Sequence, residues 1–181
     1  MSSAASRDPL AVLADIEQRC RISAAGLPQQ AEVKEQWLGI GFRLAETRLV
    51  TPLGEVVEIL TVPETTRVPG TRHWVLGLAN VRGNLLPVLD LMGYLGGGGI
   101  AAGRDARVLV VHHGDVFAGL MVDEVLGLHH FYEEARSAQR PDVDTALQPY
   151  ITGAFASENG TRPVFSMHRL VETGAFMQVA V

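Results

Sequence analysis

Sulfur chemistry is nearly absent from this chain. Its single cysteine, Cys20, excludes an internal disulfide and fits a reducing cytoplasm. Cys20 falls in a helical stripe with no evident activating group, so it reads as a small buried hydrophobe rather than a nucleophile. Basic charge is scarce too. There are 15 Lys and Arg against 20 Asp and Glu, a formal net charge of −5, and aromatic residues make up 6%. A groove that tracks phosphates and stacks bases needs the reverse of both, so nucleic acid is not an expected partner. Long apolar runs are missing from the N-terminal region, where Asp8, Asp15, Glu17 and Arg19 interrupt the sequence. No signal peptide or membrane insertion is expected there, and the protein is read as cytoplasmic.

Catalytic and metal-binding patterns are also lacking. His112-His113 and His129-His130 are adjacent pairs whose side chains diverge on a strand, and no cysteine or carboxylate set converges with them. A zinc site needs three or four convergent ligands, so no metal or other cofactor is expected. Asp123-Glu124 is likewise split across two faces and reads as solvated or partner-facing charge. There is no Gly-x-Ser-x-Gly elbow. The four glycines Gly96 to Gly99 lack the Lys-Ser/Thr pair of a phosphate loop and read as a flexible connection. The chain is not expected to be an enzyme.

What the chain does have is hydrophobic material, 47% of its residues, in short alternating runs. At 181 residues it can bury roughly 70% of its unfolded surface, enough for one core or two small lobes that share one. Leu10, Leu13, Ile16 and Cys20 recur at helical spacing between Asp8-Pro9 and a stop at Gly26-Leu27-Pro28, which predicts an N-terminal helix packed on the body. From Trp37 the period becomes two, with Leu38, Ile40, Phe42 and Leu44 on one strand face. Two apolar runs, 75–81 and 85–91, flank Gly83-Asn84, which predicts a hairpin with Arg82 opposite Leu85 and Asn80 opposite Pro87. Pro87 has no amide to donate, which places that part of its strand at an edge or a bulge. A second hairpin is read around His113-Gly114-Asp115, and a third around Glu158-Asn159-Gly160. A short helix follows at 167–172, and the whole reads as a mainly β barrel or sandwich.

Three motifs in order carry a resemblance. Val56-Val57-Glu58-Ile59, then Gly77-Leu78-Ala79-Asn80-Val81-Arg82-Gly83 leading to Pro87-Val88-Leu89-Asp90-Leu91, and then Gly119-Leu120-Met121-Val122-Asp123-Glu124-Val125 resemble the CheW-like domain of chemotaxis adaptors. The N-terminal extension and the Ala-Asn-Val-Arg-Gly turn are most similar to the branch of that family that serves twitching motility by type IV pili. The resemblance implies a helical extension over 1–36, a CheW-like domain over 37–177 and a tail over 178–181. It implies two small five-stranded β-barrels around a shared core, and a non-enzymatic coupler between the cytoplasmic tip of a transmembrane chemoreceptor and the regulatory domain of a CheA-type histidine kinase. Position by position it assigns Val56, Glu58 and Gly77 to the kinase surface, and Arg82, Val122 and Val125 to receptor binding. Asn80, Gly83, Pro87 and Asp90 are turn and motif residues. The alternative reading from the residues alone is a small β-barrel for a low-molecular-weight ligand.

Overall fold

The computed structural model describes residues 9–23, 35–138, 141–157 and 160–179. The chain forms two compact units, 1–33 and 34–181. In the first, helix α1 (Pro9–Ser23) starts at the expected proline and carries the ion pair Arg21–Glu17 one turn apart. Its stripe residues Leu10, Leu13, Ile16 and Cys20 are exposed, contrary to the burial expected of them. The stop expected at Gly26-Leu27-Pro28 and the turn residues Glu158-Asn159 lie outside the described residues.

The second unit holds β1 (Gln36–Leu44), β2 (Thr47–Pro52), β3 (Glu58–Thr61), β4 (Val75–Val81), β5 (Asn84–Asp90), helix α2 (Leu91–Tyr94), β6 (Arg107–His113) and β7 (Val116–Val122). It continues with β8 (Glu124–Tyr132), β9 (Arg136–Ser137), β10 (Ile151–Ser157), β11 (Gly160–Phe165) and the helices α3 (Met167–Val171) and α4 (Gly174–Met177). One sheet runs β8-β1-β2-β11-β10-β9 and the other β3-β6-β7-β5-β4.

Each sheet closes on itself. β8 passes through a 3-10 turn at Glu133–Ala135 straight into β9, so the two ends of the first sheet are successive pieces of one run of chain. Counted as one strand, they give a five-stranded barrel, and Phe131 of β8 stacks on Phe155 of β10 at 4.5 Å. In the second sheet the chain leaving β3 reaches Thr66, whose amide and carbonyl both bond Leu78 on the far edge strand β4. The expected pair of five-stranded barrels is what the structure contains.

The cores follow from the pleat, because alternate residues of each strand serve opposite faces. Ile40, Phe42, Leu44 and Leu49 of the first sheet meet Leu89, Leu109, Leu120 and Val122 of the second in one shared core, which α3 covers with Met167 and Leu170. The other face of the second sheet encloses Ala79, Leu86, Val88, Val108, Val110 and Met121. The other face of the first encloses Val50, Phe155 and Val164, with Trp37 and Phe131 packed on them. Trp37 and His129 lie flat on β1 because Gly39 and Gly41 beneath them have no Cβ to obstruct the rings.

Candidate functional site

The loop of the β4–β5 hairpin sits one residue earlier than expected, which shifts the strand pairing by two. Val81 pairs with Asn84 and Asn80 with Leu85, so the two-residue loop is Arg82-Gly83. Both loop residues have positive φ, 50° at Arg82 and 86° at Gly83, as a type I′ turn requires. Arg82 accepts this conformation because the Asn80 side chain holds the turn, its Oδ1 taking the Gly83 amide at 2.9 Å. Pro87 lies opposite Leu78, and β5 begins its parallel pairing with β7 only at Val88, so the missing amide falls on an unpaired side of the strand.

The turn presents Arg82 with its side chain 78% exposed, and its guanidinium reaches Glu58 of β3 at 2.7 Å. β3 and β4 are the opposite edges of the second sheet, so this ion pair spans the seam of the barrel. The residues assigned by resemblance to different partners, Glu58 to the kinase and Arg82 to the receptor, are in contact here.

Gly77 is buried under the crossing segment. With φ at 141°, a Cβ there would collide with the Thr66 carbonyl oxygen, so the Thr66–Leu78 bridge requires glycine. Val56 is half-buried against the shared core. The residue before it, Glu55, fastens this segment to α3: its carboxylate accepts the Ser166 hydroxyl at 3.0 Å and the amides of Met167 and His168 at 2.6 and 3.2 Å. Val122 is fully buried in the shared core, while Val125 is half-buried and packs at the edge of that core.

Beyond Val125, the same face of the first sheet opens to solvent. Leu38 and Leu128 are 36% and 52% exposed, and Leu53 and Val57, in the β2–β3 connection, are exposed as well. The sequence offered no signal for these, because Leu38 continues the alternation of Ile40 and Phe42, which are buried.

Two further expectations are corrected. Asp123 and Glu124 are not solvated charge: the Asp123 carboxylate accepts the Ala45 amide at 2.6 Å, and Glu124 takes the Arg43 guanidinium at 3.1 Å. They lock the β1–β2 turn, where Ala45 has φ of 51°. Nor is the four-glycine run simply slack. Asp90, 5% exposed, caps α2 through the Gly93 amide at 3.0 Å and takes the Ile100 amide at 2.8 Å with its other oxygen.

The histidines diverge as their spacing implies. His112 packs edge-on to Phe117, while His113 bonds Glu172 at 2.7 Å and stacks on His168 at 4.0 Å. Burial, reinforced by the nearby Arg162 charge, lowers the His129 pKa. Of the clefts at the junction of the two sheets, the one lined by Arg72, Trp74, Tyr94 and Tyr150 measures about 490 Å³. The Tyr94 and Tyr150 hydroxyls lie 3.4 Å apart in it, and burial raises the Tyr94 pKa.

Residues 38–174 match the description of the CheW-like domain. The chain belongs to the CheW-like family. It is 50% identical over 173 residues to Protein PilI of Pseudomonas aeruginosa, covering 96% of this chain and 97% of that one. It is 32% identical over 132 residues to the chemotaxis protein CheW of Helicobacter pylori, covering 73% and 75%. The crystal structure of the scaffolding protein TtCheW from Thermoanaerobacter tengcongensis superposes with a TM-score of 0.67 at 26% identity, covering 78% of this chain and 96% of that one.

Proposed function

We propose that this CheW-like chain is a non-enzymatic adaptor that couples a chemoreceptor to a CheA-type histidine kinase in a pathway controlling twitching motility by type IV pili. Its place is the cytoplasmic side of membrane-associated receptor arrays. The observation that carries the pathway is the 50% identity to PilI along almost the whole chain. The kinase regulatory domain docks on the β3 side, where Val56, Val57 and Glu58 are held by the Glu55 anchor and Gly77 shapes the facing edge. The receptor tip takes Arg82 and the open apolar face beside Val125, where Leu38 and Leu128 await cover. Val122 supports that face from beneath.

Two docking surfaces joined by one ion pair give the adaptor a way to report occupancy of one surface to the other. A receptor carboxylate that takes Arg82 releases Glu58, and with it the seam of the barrel. Titration of the kinase regulatory domain into the folded Glu58→Arg variant tests the assignment, with at least about a fivefold loss of affinity expected for a reversed interface charge. Unchanged affinity removes β3 from the kinase surface. The filled interior of the second barrel disfavours the small-ligand alternative there.

A further inference from the structure

Three arginines stand in a row across the first barrel. Arg43 of β1 is paired in register with Arg48 of β2. Val50 of β2 is paired in register with Val164 of β11, so Arg48 and Arg162, each two residues earlier in these parallel strands, come level on the same face. Like charges directly opposite on neighbouring strands are destabilising unless something neutralises them. Arg43 is neutralised by Glu124, with Asp123 close by. Arg48 and Arg162 are not: among the described residues neither has an ion-pair partner.

Arg162 is the more telling of the two. It is only 8% exposed, and its Nε is fully buried without a hydrogen-bond partner among the described residues. A charged group whose Nε is desolvated and unpaired is relieved by an anion that accepts from it. The Arg162 charge adds to burial in opposing protonation of the nearby His129. Arg48 and Arg162 line one cavity of about 320 Å³ together with Thr47 and Thr161, whose hydroxyls can donate to an oxyanion. Two exposed carboxylates, Glu46 and Asp142, line it as well.

We propose that this end of the first barrel binds a small soluble phosphoryl compound, inorganic phosphate or a phosphomonoester, held between Arg48 and Arg162. Two guanidinium groups, neither of them in an ion pair among the described residues, offer the charge that a phosphoryl dianion near pH 7 requires. Their planar forks suit two oxygens of one phosphorus. The site lies on the face of the sheet opposite the shared core and shares no residue with the surfaces assigned to kinase and receptor.

The test uses the whole isotope-labelled chain, titrated at constant ionic strength with inorganic phosphate, with phenyl phosphate, and with chloride as control, while the Arg162 Nε–Hε resonance is followed. Phosphatidic acid vesicles form a fourth arm, presenting the same group on a lipid. A saturable shift with the soluble phosphates, with Kd below about 1 mM, and at least about a tenfold weakening in Arg48→Gln are expected. Arg48 is exposed, so that variant keeps the fold, and Arg162→Gln provides the second comparison where it folds. A shift that does not saturate, one that chloride reproduces, one that Arg48→Gln leaves unchanged, or binding to the vesicles alone would overturn the proposal.

Discussion

Arg82 combines three properties that rarely coincide. It occupies a left-handed backbone conformation, it is displayed at a hairpin tip, and it spends its charge on a residue of the opposite sheet edge. An ion pair this exposed contributes at most about 1 kcal/mol to stability. Arg82→Ala is therefore expected to melt close to the wild type, while receptor coupling and twitching are lost. Normal twitching from folded Arg82→Ala at normal abundance would return the residue to an ordinary solvated turn. The charge-swapped double variant Glu58→Arg with Arg82→Glu separates the two roles. It restores the pair across the seam but offers each partner the wrong sign, so binding measured by titration should not recover. Gly77 answers to a different force. Gly77→Ala places a methyl group against the Thr66 carbonyl and should destabilise the chain by about 1 to 3 kcal/mol, read from the denaturation midpoint. A loss of kinase binding in that variant without a loss of stability would mean that Gly77 acts by direct contact instead.

At the scale of elements, the strands were legible because their burial alternates: Ile40, Phe42 and Leu44 of β1 all reach the shared core as their spacing implies. The hairpin was legible in kind but not in register. Gly83-Asn84 has the composition of a two-residue loop, and only the Asn80 side chain bond to the Gly83 amide shows why Arg82 takes the first loop position. The roles of Asp123 and Glu124 were hidden for another reason. Their partners Ala45 and Arg43 lie about 80 residues away in sequence, and no local pattern records such a contact. Asp90 belongs with them, since its second oxygen serves Ile100 across the glycine run. Asp90→Ala removes both a helix cap and this tie, and a loss of about 1 to 3 kcal/mol is expected. Hydrogen exchange should quicken at Gly93 and Ile100 first. Protection unchanged at both amides would show that the run is held by something else.

For the molecule as a whole, the two barrels divide the work that a single core would do alone. The shared core fixes their relation, and the separate interiors keep each barrel closed. The first barrel pays for its flat aromatic packing with a histidine that resists protonation. The folded-state pKa of His129 is lowered, so its stabilising effect is complete above the unfolded value of about 6.5 and is lost as pH falls from there toward the folded value. Melting temperature should therefore fall from pH 7.5 to pH 5 by more in the wild type than in His129→Gln. Equal falls would assign the acid sensitivity to other groups.

Whether this chain bridges two proteins is decided by a three-component sedimentation experiment. Membranes carrying the receptor are mixed with the CheA-type kinase, with and without the purified chain. Kinase is expected to pellet with the membranes only when the chain is present, and Arg82→Ala to leave the kinase–adaptor complex in the supernatant. Kinase that pellets equally without the chain, or a chain that binds neither component, would contradict the bridging role.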